Sequence, residues 1–142
     1  MQQLTPILLP CIAMTGLIAI VWLRMYFERI GEMFARRIPA QALSTSAQAR
    51  DKLQRTNAAD NFRNLFEMPM LFFVLCICLA ITGLASPLFL AGAWAYVGLR
   101  AMHSFIHITY NRVMHRFTVY ALSSLLLFLL WGGFAFKLLA GD

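Results

Sequence analysis

Six polar side chains stand in an otherwise apolar stretch of this sequence: Tyr96, Arg100, His103, Ser104, His107 and Asn111. At about 100° per residue they fall within about 100° of one helical face. An arginine offers a permanent cation whose planar fork matches a carboxylate. A histidine donates or accepts a proton near neutral pH. Upstream lies a second polar set: Asn57, Asp60, Asn61, Asn64 and Glu67. On a helical wheel centred on Asn64 the other four lie within about 60°, and the face continues through Leu71, Leu75 and Cys78. Together these groups can bind a ligand with both anionic and cationic ends, and can move a proton on it.

The elements that must hold these residues are apolar. The chain has 142 residues, 61% hydrophobic and only 13% charged, with a mean hydropathy of +0.69. Soluble domains carry about 25% charged residues, so the sequence reads as an integral membrane protein. Residues 1–23, 68–99 and 117–136 contain no charge. A bilayer span needs about 20 apolar residues. The middle run is too long for one span and is divided by the turn signal Thr82-Gly83-Leu84-Ala85-Ser86-Pro87. Four spans result, at about 4–27, 64–84, 87–110 and 117–137, joined by a loop at about 29–60. The expectation is an all-α four-helix membrane bundle, one domain over 1–142, with no soluble domain.

In hydrocarbon, an ionised side chain costs about 2.5–3.5 kcal/mol at mid-helix unless it is paired or hydrated. The polar face of span three therefore turns toward a partner helix, a water-filled cleft or a ligand. Glu67 and Arg100 lie at similar depth on either side of a hairpin around residue 85. An ion pair between them is one economical arrangement; a polar ligand shared with Asn64 is the other. Pro69 is expected to kink span two beside Glu67. Span four is a packing helix in which Gly132-Gly133 can allow a close crossing.

Charge sets the orientation. The net charge of +6 is uneven: seven Lys/Arg lie between Arg29 and Arg63, Arg112 and Arg116 follow span three, and the other side has only Lys137. That is the positive-inside pattern, with both basic loops cytoplasmic and both termini outside. The same distribution argues against nucleic acid and for anionic lipid as the partner of the loop arginines. Span one reads as retained, because it lacks a basic leader and a small-residue cleavage site. At its inner end Arg24 and Glu28 are placed to pair, and Trp22 and Tyr26 suit an aromatic belt. Residues 30–60 read as a mobile or partly helical loop. Cys11, Cys76 and Cys78 form no CxxC motif and read as apolar packers. His103 and His107 have a chelating i,i+4 spacing, with Glu67 and His115 as conceivable further ligands. A second ligand pair on another helix is missing, so no metal is assigned.

The order of these parts resembles a known family. An uncharged first span and a basic loop precede Asn64-Leu-Phe-Glu67-Met-Pro69. A short hairpin then leads to Arg100-Ala-Met-His103-Ser-Phe-Ile-His107 and a second basic loop. This resembles the MAPEG family, membrane-associated proteins in eicosanoid and glutathione metabolism, over nearly the whole chain and most closely over 55–120. The resemblance implies a four-helix subunit in a homotrimer, with glutathione bound at the cytoplasmic side between subunits. It also implies Asn64, Glu67, Arg100, His103 and His107 around glutathione, with Glu67 or Asp60 toward its ammonium. Arg116 or Arg112 is implied as the cation that activates the thiol, Arg116 preferred by its place in the loop. Two positions depart from the pattern. Active relatives often have Tyr where this chain has His107, and an Arg where it has Asp60.

Two functions from different classes follow. The first is a glutathione-dependent transferase or peroxidase acting on lipophilic electrophiles drawn from the membrane, with glutathione as co-substrate. The second is a non-catalytic membrane scaffold of the same fold that binds lipid or a partner, which the His substitutions favour. Transport is a weaker third idea, since no broken-helix repeat is visible.

Overall fold

A computed structural model describes residues 5–141, and every regular element among them is helical. In chain order these are α1 (Thr5–Arg36), a 3₁₀ turn (Ala40–Leu43), α2 (Ser46–Lys52), α3 (Asn57–Asn64), α4 (Met68–Thr82), α5 (Pro87–Ile108) and α6 (Val113–Ala140). The start of span one, put at about residue 4, lies outside the described residues.

Helix α1 runs nine residues past its expected end at 27, to Arg36, so the first basic residues continue the helix rather than open a loop. Its inward stripe is narrow. Ile7, Met14 and Val21, spaced seven apart, are buried, whereas Ile12, Ile20 and Phe27 are 62–73% exposed. A seven-residue repeat keeps one seam against its neighbours. The outward apolar side chains fit a lipid environment, where exposure to hydrocarbon carries no penalty. At the inner end Arg24 Nε donates to Glu28 Oε1 at 2.8 Å, and the Trp22 and Tyr26 rings meet at a tilt of 58° with centroids 4.7 Å apart.

Span two is not one kinked helix. Helix α3 stops at Asn64, Leu65–Glu67 form an irregular turn, and α4 begins at Met68 with Pro69 in its first turn. Proline is tolerated there because the first N–H groups of a helix have no intrahelical acceptor. Across the irregular turn the helical wheel loses its phase. Asn61 and Leu75 are buried as the wheel requires, but Glu67 and Leu71 are exposed, and α4 buries Phe72, Cys76 and Leu79 instead. Gly83, at φ 71°, ends α4 in the left-handed conformation that glycine adopts without strain, as the turn signal requires.

Helix α5 packs on α6 and α1, α1 also lies against α3 and α4, and α4 touches α6. Phe72 of α4 stacks on Tyr96 of α5, with ring centroids 4.7 Å apart. Gly92 of α5 packs tightly against α6, since an added Cβ there would stand 2.6 Å from Leu130 Cδ2. Gly133 lies against the Phe89 ring, but Gly132 faces open space, so the crossing expected at this glycine pair depends on one of them and on Gly92. All three cysteines are free and Cys76 is in the core.

Three stretches are long and apolar enough to cross a membrane: the helix over 6–36, the α3–α4 unit over 57–82, and α6. Together with the composition they make this an integral membrane protein. The expected fourth span, α5, is 22 residues long but is not among them by apolarity, because Arg100, His103, Ser104 and His107 are concentrated on it.

The segment between α1 and α3 is partly helical and tied down. Glu32, only 9% exposed, accepts from Arg36 Nη1 at 2.7 Å and from the backbone N–H groups of Gln54 at 2.8 Å and Arg55 at 3.1 Å. Arg36 Nη1 also donates to the Lys52 carbonyl at 2.7 Å. A buried carboxylate is tolerated when its lone pairs are filled in this way.

Candidate functional site

The centre of the site is Arg100, whose side chain is fully buried on α5. In the irregular turn after α3 the Asn64 carbonyl, at the negative end of the helix dipole, accepts only a long backbone bond, from the Glu67 N–H at 3.4 Å, and keeps a lone pair free. Arg100 Nη2 donates to this carbonyl at 3.1 Å. Its guanidinium carbon lies 5.4 Å from the centroid of the Tyr120 ring on α6, a cation–π contact. Nε and Nη1 are buried with no hydrogen-bond partner. The ion pair expected between Glu67 and Arg100 does not form. Glu67 is exposed at the α4 N-terminus, and the helix break supplies Arg100 with a carbonyl instead.

One turn along α5, His103 Nδ1 lies 3.1 Å from the Arg116 carbonyl. A carbonyl only accepts, so Nδ1 carries the proton and donates. Nε2, buried and without a partner, is then the basic nitrogen of the neutral ring. The His103 ring sits 5.7 Å from His107 and 5.7 Å from Tyr120, centroid to centroid. His107 is likewise buried, with Nδ1 unpartnered. Ser104 Oγ donates to Asn61 Oδ1 at 3.2 Å, fastening α5 to α3.

Asn111 does not share the α5 face as the wheel predicts. The helix ends at Ile108, and Asn111 lies in the following turn at φ 45°. Asparagine tolerates that left-handed conformation better than most residues. From there Asn111 Nδ2 donates to Asn57 Oδ1 at 3.0 Å, and Asn111 Oδ1 accepts from Arg116 Nη1 at 2.7 Å. The turn therefore aims Arg116.

Two cavities open on these groups and share Asn64 and Arg116 as walls. One, of about 220 Å³, is lined by these two with His103, Val113, Phe117 and Tyr120. The other, of about 250 Å³, is bounded by Arg50, Asp60, Arg63, Glu67 and His107 with the same two. Asp60 Oδ1 accepts from Arg50 Nη2 at 2.7 Å and lies 3.8 Å from Arg63 Nη1.

Of the residues singled out in the sequence, Asp60, Asn64, Glu67, His103, His107 and Arg116 border a cavity, and Arg100 lies buried against Asn64 and Tyr120. Arg112, exposed at the N-cap of α6, lines neither. Among the described residues no three His, Cys, Asp or Glu side chains gather as a metal site, and His115 pairs with the Tyr110 hydroxyl at 3.3 Å. Sequence reasoning missed Tyr120 and Arg50 as site residues. Tyr120 carries a signal in hindsight, since it follows Arg116 by four residues and so shares its helix face. Arg50 carries none, because it reaches Asp60 only through the tertiary structure.

The arrangement suits an anionic ligand with a hydrogen-bonding body. It presents guanidinium donors, amide groups, a basic imidazole nitrogen and two carboxylates. No curated protein and no solved structure matches the chain. The family model described as "MAPEG family" matches residues 7–136, nearly the whole length. The chain therefore belongs to the MAPEG family.

Proposed function

We propose that the protein is a glutathione-dependent transferase or peroxidase acting on lipophilic electrophiles from the bilayer. The observation that carries this reading is Arg100. A fully buried guanidinium with two nitrogens lacking acceptors is a costly group to keep, about 1–3 kcal/mol for each unpaired donor. It lies behind the cavity walls, in contact with Asn64 and Tyr120, which line them. A ligand carboxylate would relieve that cost through charge-assisted hydrogen bonds.

In this reading Asn64, Arg100 and His103 hold the peptide body and a carboxylate, and Glu67 or Asp60 takes the ammonium. Arg116 stabilises the thiolate, because a nearby cation lowers a thiol pKa from about 8.5 and raises the reactive fraction. The thiol proton passes to His107 or to water. The sulfur then attacks the electrophilic carbon, forming the S–C bond as the leaving group departs. Arg112 is the alternative thiol cation; its absence from both cavities favours Arg116. Helix α5 forms the fourth span, its polar face turned inward. The subunits form a homotrimer, with the site and the basic loops on the cytoplasmic side and both termini opposite. The second reading is a non-catalytic scaffold that binds lipid or a partner, favoured by His107 where active relatives often have Tyr.

Ultraviolet difference absorption of the purified protein with glutathione tests the proposal. The expected result is a thiolate band that Arg116→Ala abolishes and Arg112→Ala retains. No band, together with no thermal shift at millimolar glutathione, would overturn the catalytic reading and leave the scaffold.

A further inference from the structure

We infer that Arg50, on α2, is a carboxylate ligand of the candidate site, brought to it across ten residues of sequence by Asp60 and by the Glu32 clamp. The inference rests on the proposed binding of glutathione and adds a residue to it.

Helix α2 has seven residues, far too few to be stable alone. It is nevertheless held at both ends. Thr45 and Gln48 form a reciprocal capping box at its start. At its end Glu32 grips the N–H groups of Gln54 and Arg55, while Arg36 grips the Lys52 carbonyl. This anchoring does not involve Arg50. The Arg50–Asp60 pair is 59% and 34% exposed in its two side chains, and an exposed pair contributes only about 0–1 kcal/mol. Stability alone therefore gives little reason for Arg50 to stand where it does.

Its position gives a better one. Arg50 borders the cavity of about 250 Å³ together with Glu67, His107 and Arg116. Asp60 occupies one nitrogen of its guanidinium, and the other donors make no hydrogen bond to a described residue. Three guanidiniums, of Arg50, Arg63 and Arg116, face two carboxylates, of Asp60 and Glu67, around this space. The cavity thus carries one cation in excess, and Arg50 holds free donors at its rim. A carboxylate entering from the cytoplasm can take those donors in a forked geometry while Asp60 keeps the side chain oriented.

The test is the dissociation constant for glutathione, measured by calorimetry on the full chain. Arg50→Ala is expected to weaken binding about tenfold, the loss of a charge-assisted contact at a solvated rim. Lys52→Ala, which removes the same charge from the same helix away from the cavity, should stay within about twofold. Without glutathione, Arg50→Ala should keep the thermal midpoint of the parent chain, because an exposed pair contributes little to the fold. Binding by Arg50→Ala equal to that of the parent chain would overturn the inference while leaving the glutathione reading intact. A loss of binding accompanied by a lowered midpoint of the unliganded variant would also overturn it, by reducing Arg50 to a structural role. A parent chain that binds no glutathione at millimolar concentration would overturn both.

Discussion

Replacing Arg100 by Met separates a group retained for stability from one retained for a ligand. The wild-type guanidinium makes one hydrogen bond, to the Asn64 carbonyl, about 1.5–3 kcal/mol for a charged donor. Its contact with the Tyr120 ring adds about 0.5–2 kcal/mol. Against these stand two buried, unpartnered nitrogens, costing about 1–3 kcal/mol each. Gains and losses are of the same size. Methionine fills much of the same volume without polar atoms, and replacing a buried ion by an apolar side chain is often neutral or stabilising. Arg100→Met in the unliganded protein should therefore lie within about 2 kcal/mol of wild type, or about 4–8 °C in thermal midpoint for a chain of this size. Arg100→Ala, which empties the space as well, should lose more, about 2–5 kcal/mol as for other large-to-small core changes. Ligand binding should respond differently. At a hundredfold excess over its dissociation constant, glutathione should stabilise wild type by about 2.7 kcal/mol, and neither variant should show that shift. The assay is thermal unfolding in detergent with and without glutathione. A midpoint for Arg100→Met as low as that of Arg100→Ala would refute the reasoning, since the guanidinium would then be a satisfied structural group.

Three further outcomes follow from the packing. Glu32→Gln removes the charge that holds the Gln54 and Arg55 amides; losing about 1.4 kcal/mol of local stability should speed tryptic cleavage at Arg50 and Arg55 about tenfold, and unchanged cleavage would show that the clamp is idle. Asn111→Gly should fold with less than about 1 kcal/mol of change, because glycine accepts the positive φ. It should still weaken the thiolate band by freeing Arg116, whereas Asn111→Asp, which keeps the acceptor, should preserve the band. Gly92→Ala should cost only about 1 kcal/mol, since the Leu130 methyl groups it meets can rotate aside; Gly92→Ile should cost about 1–3 kcal/mol by forcing α5 from α6, a difference readable as thermal midpoints.

Much of this protein was legible because a membrane imposes simple rules. Apolar runs of about 20 residues become helices, since only a helix satisfies the backbone polar groups of a single segment within that segment. A helix buries its polar face wherever the solvent is hydrocarbon. That logic located α1, α4 and α6 and placed Arg100, His103, Ser104 and His107 on one buried face. Charged pairs across one helical turn were readable too, as Arg24 and Glu28 show. The wheel failed where the helix failed. Its phase was carried across Leu65–Glu67, where α3 gives way to α4, and past Ile108, where α5 ends before Asn111.

Composition and periodicity by themselves determined the class of the protein, the apolar helices and the polar face that faces inward, because these depend only on hydrophobic transfer and on the 3.6-residue repeat. Only the tertiary structure decided the partners within that face. It gave Arg100 a backbone carbonyl rather than Glu67, oriented Arg116 through Asn111, and delivered Arg50 to Asp60. These outcomes depend on where helices stop and on which groups the intervening turns bring together. A helix ends through a balance of capping, turn geometry and packing worth only about 1 kcal/mol per contact, which no single stretch of sequence decides alone.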